Sequence, residues 1–164
     1  MKFLAVGMIG CLSLLAAGGE FSNRRAPGFS LMDSKFVQHD PQDYRGKVVL
    51  VEFMQTTCQV CLQLTEHLQL VKQKFGDKVV ILSITTAPDS FQTGDQYAKE
   101  HHLPWPILFD MGQVMMSYLK MTPSNLTVHF PHLFIIDGQG MIRADFDNAA
   151  PTDQISAEIE KLAK

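Results

Sequence analysis

Cysteine is scarce in this sequence, and positive charge is not in excess. The chain has three cysteines, at Cys11, Cys58 and Cys61, and its 14 basic and 17 acidic residues leave a formal net charge of -3. A domain that binds nucleic acid normally carries a basic patch or stripe that neutralises phosphates. The charge balance therefore argues against a nucleic-acid partner.

The composition is that of an ordinary globular protein, with 46% hydrophobic and 19% charged residues. This balance excludes wholesale disorder, which requires low hydrophobicity and high net charge, and it excludes a multi-span membrane protein. A chain of 164 residues that loses a short leader has the length of one compact domain. We therefore expect a single domain with a substantial core.

The N-terminus has the features of an export signal. Lys2 provides a short positive region, residues 3–17 are almost entirely apolar, and small residues occupy positions 16–19. An apolar run of about fifteen residues is short for a membrane-spanning helix, which needs roughly 17 to 25, but an uncleaved anchor stays open. We expect a signal peptide or membrane anchor at residues 1–19, a flexible linker at 20–26 and the folded domain at 27–164.

Loss of the leader would leave Cys58 and Cys61 as the two cysteines of the exported chain. A disulfide between residues so close in sequence removes little entropy from the unfolded chain, so the pair is a poor structural staple. A structural zinc site would need two further ligands at suitable spacing, and there is no second cysteine pair. The pair is better explained by redox chemistry.

The hydrophobic pattern predicts an α/β domain. Continuous apolar character over residues 48–54 predicts a central strand buried on both faces, and helical spacing over residues 59–75 predicts the helix that follows it. The remaining expected elements are a small hairpin at 29–32 and 36–37, strands at 79–84 and 107–109, helices at 90–99, 111–119 and 152–162, a loop at 121–130, and a hairpin at 133–136 and 141–146.

Cys58 and Cys61 lie at the junction between the central strand and its helix. A thiolate at Cys58 would face the unsatisfied N–H groups and the positive end of the helix dipole, which lower the pKa of the thiol. Cys61 is one turn further on and can resolve a mixed disulfide formed by Cys58. The spacing therefore predicts a nucleophilic cysteine followed by a resolving cysteine.

Two segments in this order resemble the thioredoxin superfamily, specifically exported TlpA/ResA-like thiol-disulfide oxidoreductases related to the AhpC/TSA-Redoxin group. Residues 45–53 (RGKVVLVEF), followed by the cysteine motif at 58–61 (CQVC), are similar to the family's strand leading into its active site. Residues 130–138 (FPHLFIIDG) resemble the segment that carries its cis-proline. The resemblance implies a central mixed β-sheet flanked by helices, with an N-terminal β-hairpin extension.

The resemblance also implies roles for further residues. Glu52 falls where thioredoxins carry a buried acid, and a carboxyl desolvated in an apolar strand should have a raised pKa, which makes it a candidate proton acceptor for Cys61. A solvated glutamate at the sheet edge is the alternative. Pro131 is expected to be cis and to expose the backbone of Phe130 for pairing with an extended substrate. His132 follows in the same candidate substrate-binding segment, and it could tune the Cys58 thiolate if it lies nearby. The alternatives are an ordinary trans proline that opens a strand and a histidine that is simply a surface residue.

Two departures from the family pattern concern the motif itself. The family usually has tryptophan before its first active-site cysteine, where this chain has Thr57, and often a proline between the cysteines, where it has Gln59 and Val60. These changes leave the reaction class standing. They affect the reduction potential, because the intervening residues tune the relative stability of thiolate and disulfide.

The expected activity needs no dissociable cofactor, because the electrons reside in the cysteine pair. The resemblance implies cysteine-containing exported proteins as substrates, apo-cytochrome c among them, and a membrane thiol electron donor. We expect a location in the periplasm or on the outer face of the cytoplasmic membrane, with membrane contact only through an uncleaved leader. A reductase is favoured, although the same motif can serve an oxidant.

Two alternatives stay open. Cys58, Cys61 and a distant histidine such as His129 could form a soft copper site, although copper-delivery proteins on this fold usually place three residues between their cysteines. A peroxiredoxin-like peroxidase shares the fold and relies on a proline and a hydroxyl residue shortly before its reactive cysteine. Those positions hold Val51 and Gln55 here.

Overall fold

The computed structural model describes residues 19–162. Its strands are β1 (Arg24–Arg25), β2 (Leu31–Met32), β3 (Gln38–His39), β4 (Val48–Met54), β5 (Val79–Thr86), β6 (Ile107–Asp110), β7 (His132–Ile136) and β8 (Met141–Phe146). Its α-helices are α1 (Gln59–Phe75), α2 (Phe91–Glu100), α3 (Gln113–Tyr118) and α4 (Thr152–Leu162). The expected signal peptide or anchor, including Cys11, lies almost wholly outside the described residues.

A mixed sheet of six strands forms the centre of the fold, in the order β1-β8-β7-β4-β5-β6. Strand β4 is parallel to β5 and antiparallel to β7, and β5 is parallel to β6. Every residue of β4 is buried, as its continuous apolar character predicts. The central mixed sheet expected from the sequence is confirmed, and β4 delivers the chain to the first cysteine.

Alternate residues of β4 face two separate cores. Leu50 joins Leu64 and Leu68 of α1 and Ile159 of α4 on one face of the sheet. Val51 and Phe53 join a cluster of large apolar and aromatic side chains on the other face, among them Tyr118 of α3 and Phe134 of β7. Because the side chains of a strand alternate between faces, consecutive residues of β4 support both layers of helices.

Helix α1 has the bounds that its apolar spacing predicts. Leu64, Leu68 and Val71 are buried on one side of the helix. The helix ends at Gly76, which has a φ of 55°, in the left-handed region that glycine adopts without the steric cost of a Cβ. The start of the helix is set by Cys58, described below.

Two sequence-based expectations for the N-terminal part of the domain were wrong in detail. Part of the expected flexible linker forms β1, which pairs with β8 at the edge of the sheet. The N-terminal hairpin is present, but its second strand is β3 rather than residues 36–37. Asp33 accepts hydrogen bonds from the N–H groups of Lys35 and Val37 and Phe36 has a φ of 60°, so the turn extends to Val37.

The other elements differ from expectation only at their ends. Strand β5 continues to Thr86, and α3 begins at Gln113 because Gly112, with a φ of 100°, is its N-cap. Among residues 19–162, no helix combines the length and the apolar character that crossing a membrane would require.

Candidate active site

Cys58 is the N-cap residue of α1. Its backbone is extended, with φ -86° and ψ 114°, and its sulfur accepts a hydrogen bond from the N–H of Cys61 at 3.1 Å. The sulfur thus lies at the end of the helix where unsatisfied N–H groups and the positive end of the dipole stabilise negative charge. Cys58 thus lies at the strand-to-helix junction where the sequence places it.

The two cysteines form a disulfide, and they differ in exposure. Their Cα atoms are 5.2 Å apart and their sulfur atoms 2.32 Å apart. Cys58 is half-buried, whereas Cys61 has 0% of its surface exposed and packs with Met54, Tyr97 and Ile107. Because only Cys58 reaches the surface, an external thiol or disulfide can meet Cys58 but not Cys61. The pair can therefore exchange a disulfide with a partner in a fixed order.

The segment before β7 lies against the cysteines. The Phe130–Pro131 peptide bond is cis, as expected from the resemblance. The carbonyl oxygen of Phe130 is 3.9 Å from the Cys58 sulfur, and Phe130 also packs in the cluster around Cys61. Pro131 itself is buried and Phe130 is half-buried. A chain that approaches Cys58 from solvent would therefore meet the backbone of Phe130.

Glu52 is fully buried, with 0% of its surface exposed. Burial raises the pKa of its carboxyl from 4.5 to about 7, against the opposing effect of a hydrogen bond from Ser83. The Ser83 hydroxyl donates to Glu52 Oε2 at 2.6 Å, and Oε1 has no hydrogen-bond partner among the described residues. The alternative of a solvated glutamate is excluded, and the carboxyl can change protonation state near neutral pH.

Tyr97 connects the environment of Glu52 to that of Cys61. Burial raises the pKa of Tyr97, and the charge of Glu52 raises it further, so the two groups are electrostatic neighbours. Tyr97 also belongs to the cluster around Cys61, together with Met54, which lies two positions after Glu52 on the same face of β4. Glu52 and Cys61 make no direct hydrogen bond among the described residues.

His132 is buried, with 5% of its surface exposed. Its Nε2 is 3.3 Å from Oδ2 of Asp145, and its ring stacks on Phe134 at a centroid distance of 4.5 Å. The N–H of Phe21 donates to the other oxygen of Asp145. Because this histidine is enclosed, any influence it has on Cys58 would be electrostatic rather than through contact with a substrate.

Asp89 holds the loop that precedes Cys58, and sequence analysis did not find this role. The N–H of Thr56 donates to Asp89 Oδ2 at 2.9 Å and its hydroxyl donates to Oδ1 at 2.5 Å. Asp89 is 8% exposed and also accepts from the hydroxyl of Thr93. Its only sequence signal is its place beside Ser90, the N-cap of α2.

The ligand set proposed for copper is not assembled. No group of three or more histidine, cysteine, aspartate or glutamate side chains between residues 19 and 162 could hold a metal ion. His129, the histidine suggested as third ligand, is exposed in the loop before Phe130. The structure therefore does not bring it together with Cys58 and Cys61.

The fold and the cysteine pair at the start of α1 define a thioredoxin-fold protein with a dithiol-disulfide centre. The chain belongs to the AhpC/TSA family, whose model matches residues 23–145. It is similar to the thioredoxin-like protein YneN of Bacillus subtilis, with 28% identity over 122 residues that cover 73% of this chain and 68% of YneN. It is also similar to the thiol-disulfide oxidoreductase ResA of Geobacillus kaustophilus, with 26% identity over 140 residues, 84% of this chain and 75% of ResA.

A solved structure agrees with these relatives on the fold. The thiol:disulfide interchange protein of the thioredoxin family from Chlorobium tepidum superimposes with a TM-score of 0.75 at 15% identity, covering 86% of this chain and 97% of that protein. The resemblance to TlpA/ResA-like proteins of the thioredoxin superfamily is confirmed.

Proposed function

We propose that this protein is a thiol-disulfide oxidoreductase that reduces disulfides in cysteine-containing exported proteins. The observation that carries the proposal is the disulfide between a half-buried Cys58 at the N-terminus of α1 and a fully buried Cys61 one turn later. The names of its relatives YneN and ResA, a thioredoxin-like protein and a thiol-disulfide oxidoreductase, support the same reaction class.

The reaction is a two-step exchange. In the reduced protein, the Cys58 thiolate attacks one sulfur of a substrate disulfide, forms a mixed disulfide and releases the other substrate sulfur as a thiolate. The Cys61 thiol then loses its proton and attacks the Cys58 sulfur, which releases the second substrate thiol and restores the Cys58–Cys61 disulfide. Two electrons pass from the protein dithiol to the substrate, and an external thiol donor must return them.

Glu52 is the proposed acceptor of the Cys61 proton. Cys61 is surrounded by apolar side chains, which raise the cost of forming its thiolate. A nearby carboxyl whose pKa is about 7 is close to half ionised at neutral pH, so it can take the proton during resolution and release it afterwards. Tyr97, the shared neighbour of both groups, completes this buried region.

The surroundings of Cys58 favour the reducing direction. Among the described residues, the Cys58 sulfur accepts a hydrogen bond from the N–H of Cys61 and lies 3.9 Å from the carbonyl oxygen of Phe130, and neither group belongs to a cationic side chain. A strong disulfide donor depends on exceptional stabilisation of its thiolate, with a pKa near about 3.5, whereas thioredoxin, a reductant, has a value near about 7. A Cys58 thiolate that is stabilised by the helix N-terminus alone fits the thioredoxin-like reductant better than the strong disulfide donor.

The edge formed by Phe130 and Pro131 is the proposed place for the substrate chain. The Phe130 backbone lies beside the Cys58 sulfur, so an extended segment that pairs with it would bring a substrate cysteine to Cys58. His132 would act on Cys58 only through its charge, since its ring is buried against Asp145.

The apolar N-terminal segment supports a location outside the cytoplasm, in the periplasm or on the outer face of the cytoplasmic membrane. A dithiol there loses its electrons to an oxidising environment unless it is recharged. We therefore include a membrane thiol electron donor in the proposal, and apo-cytochrome c among the substrates, with no cofactor beyond the cysteine pair.

The proposal is tested with leaderless protein and a peptide that carries a Cys-x-x-Cys-His disulfide, the haem-attachment sequence of c-type cytochromes. Reduced protein is mixed with oxidised peptide, and oxidised protein with reduced peptide, and thiols are trapped by alkylation. We expect both mixtures to converge on reduced peptide and the protein disulfide. Cys58→Ser is the matched control and should transfer nothing.

Convergence on oxidised peptide would overturn the reducing direction. Absence of exchange in both mixtures would overturn the reaction class. Rapid consumption of hydrogen peroxide by the reduced protein would favour a peroxidase, and a visible absorption band on addition of copper would favour copper binding.

A further inference from the structure

Two buried polar side chains beside Glu52 have no role in the reaction as described so far. Ser83 lies on β5 directly opposite Glu52 in the sheet register, and Trp105 lies in the Pro104–Pro106 turn before β6. Both are buried, with 1% and 6% of their surfaces exposed. Trp105 Nε1 donates to the Ser83 hydroxyl at 3.0 Å, and that hydroxyl donates to Glu52 Oε2 at 2.6 Å.

The direction of this chain of hydrogen bonds is fixed by chemistry. An indole N–H can only donate, so the Ser83 oxygen must accept from Trp105. The single hydrogen of the hydroxyl is then left for Glu52 Oε2. The ionised carboxylate has no hydrogen to donate, so Oε2 must accept from Ser83, and a carboxyl that carries its proton on Oε1 keeps the same hydrogen bond. Oε1 is buried without a hydrogen-bond partner among the described residues.

We propose that Ser83 and Trp105 are positioning residues that fix Oε2 of Glu52 and leave Oε1 as the oxygen that exchanges a proton with Cys61. This inference rests on the proposed function, in which Glu52 is the proton acceptor. Trp105 acts through Ser83, because its N–H prevents the hydroxyl from rotating away from the carboxyl. Neither residue touches the reacting sulfur atoms.

The hydrogen bonds from Trp105 to Ser83 and from Ser83 to Glu52 are called the relay below. No charged side chain within residues 19–162 competes with this relay in setting the pKa of Glu52. Burial and the Ser83 hydrogen bond are the contributions to its pKa shift, with none from a charged side chain of the described residues. The titratable groups packed around it are Tyr97 from α2 and, in the same cluster as Tyr97, Cys61 from α1. Its register partners on β5 and β7 are Ser83 and Leu133, which carry no charge.

Removal of the relay should therefore shift Glu52 toward its protonated form. A hydrogen bond to a charged group is worth enough to change an equilibrium by about tenfold or more. In Ser83→Ala, a tenfold fall in the acid dissociation constant of Glu52 would lower its ionised fraction at neutral pH from about one half to about one eleventh, and resolution should slow about fivefold or more. In Trp105→Phe the hydroxyl remains but is free to turn, so a smaller change of the same sign is expected.

The experiment measures the resolution step across pH. Protein without its expected leader is loaded at Cys58 with glutathione as a mixed disulfide, and release of glutathione is followed in a single turnover. Ser83→Ala should displace the pH profile to higher pH and slow release at neutral pH about fivefold or more, and Trp105→Phe should do so to a lesser extent. Ser83→Thr keeps the hydroxyl and should restore the profile. Ser156→Ala, a buried serine on α4 outside the relay, should match the unmodified protein.

An independent readout is the carboxyl stretching band of protonated Glu52 in difference infrared spectra, assigned by its loss in Glu52→Gln. Its titration should move upward in Ser83→Ala and return in Ser83→Thr. If Glu52→Gln changes the resolution profile but Ser83→Ala does not, the relay is overturned and the acceptor stands. If Glu52→Gln itself leaves the profile unchanged, the acceptor role is overturned and the relay with it.

Discussion

Burial of Glu52 should make the stability of the oxidised protein depend on pH in a defined direction. Because burial raises its pKa from 4.5 to about 7, the folded protein retains a proton that the unfolded chain releases. The stabilisation that comes from this retained proton is fully present below pH 4.5, the pKa of the unfolded chain. It is lost as pH rises to about 7, the pKa in the folded protein. The free energy of unfolding should fall by about 1.4 kcal/mol per pH unit in this window, about 3 kcal/mol in all.

The perturbation that isolates this contribution is Glu52→Gln. Glutamine has nearly the same shape, is neutral at every pH, and keeps an oxygen that can accept from Ser83. Urea unfolding of the oxidised variant and unmodified protein at several pH values, followed by far-ultraviolet circular dichroism, gives the difference directly. Since the other groups titrate in both proteins, their contributions cancel, and the variant should gain about 3 kcal/mol relative to the unmodified protein between the two ends of the window.

In small proteins the slope of stability against urea is about 1 to 3 kcal/mol per molar, so the change corresponds to a midpoint shift of roughly 1 M or more. Parallel stability curves for the two proteins from acid to neutral pH would refute the reasoning, because they would mean that the Glu52 carboxyl does not bind a proton more tightly in the folded state.

Three further predictions concern the cysteines, the loop before them and the core. Cys61→Ser should accumulate a covalent adduct with a substrate disulfide, which non-reducing gels would show. Cys58→Ser should form no adduct, because Cys61 has no exposed surface. Equal adducts from both variants would contradict the assigned order of attack. Asp89→Ala removes the acceptor of two hydrogen bonds from Thr56. It should lower the free energy of unfolding in urea by about 1 to 3 kcal/mol. A loss below about 0.5 kcal/mol would rule out a role of Asp89 in holding the loop before Cys58. Leu68→Ala should cost about 2 to 5 kcal/mol in the same assay, because Leu68 is fully buried between the sheet and α4, and a neutral result would place it outside the core.

The parts of the fold that could be predicted from sequence are those with a strong local pattern. The unbroken apolar run of β4 and the helical spacing of α1 gave their bounds correctly, and together they located the cysteines at a strand-to-helix junction. The resemblance supplied the cis peptide bond before Pro131 and the burial of Glu52.

The remaining features depend on contacts between distant positions, which leave no periodic signal. Strand β1 is two residues long and polar, and it is defined by backbone pairing with β8. Thr56 and Asp89 are 33 positions apart, and Ser83 and Trp105 are 22 apart. Each of these side chains is unremarkable in its own segment, and its role appears only when the sheet brings the two segments together.

The most direct test of the account is the reduction potential of the Cys58–Cys61 couple. Leaderless protein would be equilibrated in graded dithiothreitol or glutathione buffers, and its free thiols trapped by alkylation. We predict a two-electron transition in which both thiols appear together, with a tenfold change in the ratio of reduced to oxidised protein per about 30 mV and a midpoint near about -270 mV, the range of thioredoxin. A midpoint near about -120 mV would contradict the reducing direction, and a pair that does not cycle at all would contradict the oxidoreductase assignment.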